Sequence, residues 1–319
     1  MPEHSAAARR QAAAPPIPHT LRPALRRALT TVAATALAVA GTLTVMPAAS
    51  ARTPMYIGSV DGGFQQMEAG TGQTMADHAY AQVGSNVPDT RMITLETGGA
   101  SWRSVADAGP GTALYSQLVR WAQTIKGRPG PVMVAYNHEP EASAGGQHGT
   151  AADFIAAYRH VESIFNSQGA ANVVWTWQMT AYAFRTSPSD PRAAAAWYPG
   201  DAYVDNVGAD AYNWFTCGHG NGTWNELKAL GDPVLAFARA HGKAASFPEF
   251  ATDSDSGRVQ WIKNAHQYFL DNQDILTAAF YFNRPPTVQA NSDCSWALKT
   301  NPEFAAFGDI VRDRAHFTS

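Results

Sequence analysis

Cysteine is scarce in this 319-residue chain, which has only Cys217 and Cys294. That is too few for a disulfide-built scaffold or a four-thiolate zinc centre. Charge is sparse as well, at 15% of residues with a balance of −3, so no basic surface argues for nucleic acid. One apolar run, residues 28–45, is followed by no second of similar length, which excludes a multi-spanning membrane protein. Internal repeats and low-complexity tracts are missing. With 45% apolar and 11% aromatic residues, the chain is neither disordered nor collagen-like nor a coiled coil. It should fold into a globule.

The first fifty or so residues read as an address rather than as part of the fold. Arg9, Arg10, Arg22, Arg26 and Arg27 precede the apolar run, Glu3 is the one acid among them, and Ala49-Ser50-Ala51 supplies a small-x-small cleavage site. This order is that of a secretory signal with a long basic n-region over 1–51. The competing expectation is an uncleaved membrane anchor, since 18 apolar residues lie at the lower limit for a span. Residues 52–319 hold every Trp, Tyr and Phe of the chain and are expected to form one exported domain with no stable membrane association.

Within that domain, short β-branched and aromatic runs alternate with Ala-rich amphipathic stretches. Strands are expected at 56–60, 78–83, 92–96, 132–137, 173–178, 204–209, 244–249 and 278–283, and helices at 115–125, 151–167, 223–241 and 257–271. Gly231-Asp232-Pro233 should break the third helix. Eight strands interleaved with helices point to an α/β fold, a single (β/α)8 TIM barrel. In such a barrel the chemistry sits at the carboxyl ends of the strands, so polar residues that follow apolar strand runs are the informative ones.

Four segments have that form. Residues 132–141 end in Asn137-His138-Glu139-Pro140-Glu141, and a carboxyl at Glu139 beside apolar walls would keep its proton as a general acid needs. Glu141 is expected instead as a surface or helix-N-terminal acid. Residues 243–250 end in Pro248-Glu249-Phe250, a lone carboxylate at an apolar site, which is costly unless something uses or pairs it. Two such Glu on separate strand ends suit retaining glycoside hydrolysis. A third segment brings Asp210, Tyr212 and Asn213 to the rim, where the tyrosine hydroxyl can hold a nucleophilic carboxylate and Trp214 can stack on a sugar. In the fourth, alternation puts Trp175 and Trp177 on one strand face. If that face is the barrel interior, Trp177 would floor a sugar site. Asp201, Asp205 and Asp210 lack the glycine and terminal Glu of a calcium loop, and His219 finds too few companions for zinc. No metal or cofactor is expected.

Taken together, these residues resemble glycoside hydrolase family 26, secreted retaining β-glycanases in which endo-β-1,4-mannanases predominate. The resemblance rests on His138-Glu139, Gly169-Ala170, Asn172 to Trp177, Tyr198-Pro199-Gly200-Asp201 through Asn213, and Glu249-Phe250. It implies Glu139 as acid/base, Glu249 as nucleophile and Tyr212 as the hydroxyl on the nucleophile. His138 resembles the histidine lining the −1 sugar site, and Phe282 stands where an aromatic wall is often found. Asn137, Asp210, Trp177 and Trp214 complete the expected substrate-binding set. Two departures bear on the substrate: Ala135 replaces an arginine common four residues before the acid/base, and Pro140-Glu141-Ala142 replaces Met-Asn-Gly.

Cys217 and Cys294 follow the sixth and eighth strands, so a disulfide bracing the cleft is expected, with two separate thiols as the alternative. The expected protein is a secreted, monomeric hydrolase of a polysaccharide, β-mannan first, with β-1,3-xylan and mixed-linkage β-glucan next. A barrel that binds carbohydrate without turnover is the alternative from another class.

Overall fold

The computed structural model describes residues 54–60, 62–142, 148–253, 256–284 and 293–319; the signal segment expected over 1–51 lies outside them. Eight parallel strands pair in sequence order: β1 (Met55–Val60), β2 (Ala76–Gln82), β3 (Met92–Glu96), β4 (Val132–Tyr136), β5 (Val173–Thr180), β6 (Asn206–Asn213), β7 (Ala244–Thr252) and β8 (Leu276–Tyr281). β1 pairs with both β2 and β8, which closes the sheet into a (β/α)8 barrel. A ninth strand, β9 (Phe317–Thr318), lies along the first residues of β1, Met55 and Tyr56.

Helices cover the outside: α1 (Phe64–Thr71), α2 (Trp102–Ala106), α3 (Ala113–Lys126), α4 (Ala151–Ser167), α5 (Leu227–Ala240), α6 (Arg258–Asp271) and α7 (Asn301–Arg312). All eight expected strands are present, β3 with the expected ends and the others with shifted ones. Helices α1, α2 and α7 were not expected; the first two are only eight and five residues long, too short for a clear periodic pattern. α5 corrects an expectation. It is one helix with Pro233 inside it rather than two pieces, because the apolar face made by Leu227, Leu230, Val234, Leu235 and Ala238 is buried and offsets the lost backbone bond. Gly231 allows that close fit, since a Cβ there would sit 2.7 Å from the Phe247 ring and from the Tyr268 hydroxyl.

Alternation along the strands sorts side chains between the barrel interior and the helix-facing layer. On β4, Val134 and Tyr136 join the large outer cluster, whereas Met133 and Ala135 join Met92, Ala278 and Phe280 in an inner one. β7 breaks the rule where it matters. Phe247 packs on Tyr268 and Phe269, and Phe250 on Trp261 and Phe269, so both face α6 although three positions apart. The register with β8 slips between them. Such a bulge re-aims side chains, and here it turns Pro248 and Glu249 together toward the interior; Pro248, lacking an N–H, fits an irregular ladder.

Candidate active site

Glu249, 5% exposed, lies at the carboxyl end of β7. Tyr80 of β2 donates its hydroxyl to Oε1 and Tyr212 of β6 donates to Oε2. Burial pushes this carboxyl up to about 8 while the charge of Arg284 opposes, and two hydroxyl donors also favour the ionised form. Behind it, the buried His78 donates from Nδ1 to the Pro248 carbonyl at 2.9 Å, and its Nε2 lies 2.9 Å from the Thr94 hydroxyl. Burial drives His78 down to about 3, so it is a neutral strut.

Glu139 sits just past β4 on a strained turn: Asn137 and Glu139 have φ of 43° and 46°, a left-handed region costly for residues with a Cβ. Its N–H is held by the Gln178 carbonyl at 3.0 Å. Burial raises the Glu139 carboxyl, while the charge of His138 and a bond to Asp210 oppose that shift. Asp210, 3% exposed, is itself raised well above its ordinary range by burial and by Glu139. A bond between two carboxyls requires a proton on one of them, so the pair shares one. Asp210 also accepts from Gln178 Nε2 at 2.9 Å on both oxygens and from the backbone N–H of Glu249. One buried carboxyl therefore links the acid/base candidate to the nucleophile candidate.

Two adjoining hollows open over these groups. One, about 630 Å³, is lined by Glu139, Asn137, Trp102 and His148 among others; a second, about 370 Å³, is lined by Tyr80, Glu249, Phe282 and Arg284. Glu96 and His138 border both and form an ion pair, Nδ1 to Oε1 3.3 Å. Burial works against charge on His138, but Glu96 and the carboxylates of Glu139 and Glu141 outweigh it and hold His138 above its ordinary value. The bond from His138 in turn lowers Glu96.

Several expected substrate contacts have other work. Trp177 is fully buried on the helix-facing side of β5, against Phe184, Tyr198 and Phe237; alternation put both Trp on one face, but that face is the outer one. The Asn137 amide is bonded to Thr97 through both its oxygen and its nitrogen, and Asp210 is committed to Glu139, Gln178 and the Glu249 N–H. Trp214 packs on Trp296 and His219, beside a disulfide between Cys217 and Cys294 whose Cα atoms are 5.0 Å apart. Phe282 lies edge-on to Tyr212 and carries Arg284 over its ring. Glu141 is the plainest correction: it is 1% exposed, not a surface acid, and Oε1 accepts from the Thr180 N–H and hydroxyl at 2.8 and 2.5 Å. Tyr80, Glu96, Gln178 and Arg284 were not foreseen. The one signal available for Tyr80 was its place two residues from His78 on the same strand, and so on the same face.

A family profile, glycosyl hydrolase family 26, matches residues 112–298. The chain belongs to that family. Among curated relatives of this family 26 barrel, endoglucanase H of Acetivibrio thermocellus is 28% identical over 160 residues, 50% of this chain and 17% of that protein. β-1,3-Xylanase TXYA of a Vibrio species is 25% identical over 272 residues, 77% of this chain and 53% of that protein. The chain thus spans about half, or far less, of the curated relatives it matches. A family 26 β-mannanase from Bacteroides ovatus shares the fold with a TM-score of 0.54 at 13% identity, covering 84% of this chain and 90% of its own. The catalytic domain of a Bacillus sp. JAMB-750 endo-β-1,4-mannanase does so with 0.54 at 16%, covering 84% and 88%.

Proposed function

We propose that the protein is an exported, retaining hydrolase of a β-linked glycan, with Glu249 as nucleophile and Glu139 as acid/base. The observation that carries this is the pair of carboxyls at the ends of β4 and β7, Glu139 partly and Glu249 fully buried, with Asp210 between them and adjoining hollows over both. In the first step the Glu249 carboxylate attacks the anomeric carbon, the glycosidic C–O bond breaks, and the Glu139 proton passes to the departing oxygen. In the second, the Glu139 carboxylate takes a proton from water, whose oxygen displaces Glu249 from the sugar. Tyr80 and Tyr212 stabilise the leaving carboxylate in that step.

β-1,3-Xylan is the first substrate to test, ahead of β-1,4-mannan and mixed-linkage β-glucan. Two relatives that each span 77% of this chain bear β-1,3-xylanase names, and the likeness to mannanases is one of fold at low identity. Ala135, in place of the arginine common before the acid/base, also argues against a mannanase-type first subsite. Reducing-end release should appear on one of these glycans with the new anomer initially in the β configuration. Glu249→Gln should abolish release while melting like the wild type, and Glu139→Gln should lower kcat by about 10²–10⁴-fold. Full activity in pure Glu249→Gln rejects the assignment; glycan binding without product identifies a non-catalytic carbohydrate-binding barrel.

A further inference from the structure

Glu141 takes no part in the double displacement, yet it is among the most enclosed acids of the described residues. It lies two residues past Glu139, on the turn whose left-handed Asn137 and Glu139 persist only because their surroundings fix them. Those fixings can be named. Asn137 bonds Thr97, Glu139 N–H bonds the Gln178 carbonyl, and Ala142 N–H bonds the Glu139 carbonyl at 3.0 Å. Beyond these, Glu141 Oε1 takes both the amide and the hydroxyl of Thr180. The last two residues named on β5, Gln178 and Thr180, thus anchor the turn at two points.

We propose that Glu141 is a positioning residue for Glu139: its carboxyl pins the acid/base turn to the end of β5, and its charge, when present, helps Glu139 keep its proton. This rests on Glu139 being the acid/base. The ionisable groups facing Glu141 are Glu139 and His138 on the same turn and Asp210 on β6; from β5 it meets the Thr180 amide and hydroxyl. Burial pushes Glu141 up to about 7, opposed by the Thr180 bonds and reinforced by Glu139. It therefore gains its charge near neutrality, and a negative charge beside Glu139 makes loss of the second proton harder.

Two variants separate the roles. Glu141→Gln keeps an acceptor oxygen for Thr180 but carries no charge, whereas Glu141→Ala removes both. With β-1,3-xylan, or β-1,4-mannan if that is what the wild type cleaves, the alkaline limb of kcat/KM in Glu141→Gln should move down by about half a unit or more. Glu141→Ala should lose about ten-fold or more in kcat with little change in KM, and far more than Glu141→Gln. Thermal melting supplies a readout independent of substrate. A carboxyl raised from its ordinary range to about 7 in the folded protein contributes stability below about pH 4.5 that is lost as pH rises through 7. Glu141→Gln escapes that loss, so its Tm relative to wild type should climb across this window. Superimposable pH–rate profiles, an upward shift of the alkaline limb, or a Tm difference that is the same at pH 5 and pH 8 overturns the proposal. If the wild type cleaves no glycan, the proposed function fails and this proposal falls with it; an active wild type with unmoved variants overturns this proposal alone.

Discussion

Glu249 is gripped by phenols from two strands, Tyr80 on β2 and Tyr212 on β6. Where the family resemblance leads one to expect a guanidinium four residues before the acid/base, Ala135 packs with Met133 and Phe280 inside the barrel. The positive charge near Glu249 comes from Arg284, beyond β8. Tyr80 supplies Glu249 with a hydrogen bond from β2. Removing its hydroxyl takes away a donor to the ionised carboxylate and raises the Glu249 pKa further. Tyr80→Phe should therefore move the acid limb of kcat/KM to higher pH by about one unit, and that limb is expected above the ordinary carboxylate range already. An acid limb that stays in place in Tyr80→Phe would mean the phenol does not touch the charged form.

At the scale of elements, most strands were legible because they combine a short apolar run with a polar residue at or after its end, and the same pattern marked Glu139 and Glu249. What alternation cannot reveal is which side of a strand is the interior. Trp175 and Trp177 share a face, but only the closed barrel shows that this face packs on Tyr158, Phe165 and Phe237. The bulge in β7 was hidden for a related reason. Phe247 and Phe250 lie three apart, so a strict period of two would send Glu249 outward with Phe247. The buried supports Thr94 and Gln178 were also invisible, since a polar side chain mid-strand gains its meaning only from partners across the barrel. The loops after β6 and β8 are tied by the disulfide, with a sequence separation of 77 residues. Replacing both Cys217 and Cys294 with Ser should cost about 2–4 kcal/mol of stability in urea unfolding. Dithiothreitol should lower the wild-type midpoint and leave the double variant unchanged; equal sensitivity of both would show that the bridge does not form.

For the whole molecule, the N-terminal segment and the barrel make opposite demands. Residues 28–45 carry no charged side chain, whereas 52–319 carry the full aromatic content and nearly all the acids. Export with cleavage near Ala49-Ser50-Ala51 follows from this division as a proposal, and N-terminal sequencing of protein recovered from the medium should begin within a few residues of Arg52. Recovery only from membranes, with residue 28 onward intact, would favour the anchored form.

The two-residue strand β9 runs beside Met55 and Tyr56, at the amino end of a barrel whose proposed catalytic carboxyls lie at the other end. Thr318 is therefore on the floor of the barrel while the sugar chain would cross its roof. A tether, affinity handle or second module grafted behind Ser319 would hang from the underside, and a molecule fixed to a bead by that end would still present an open groove to an insoluble fibre.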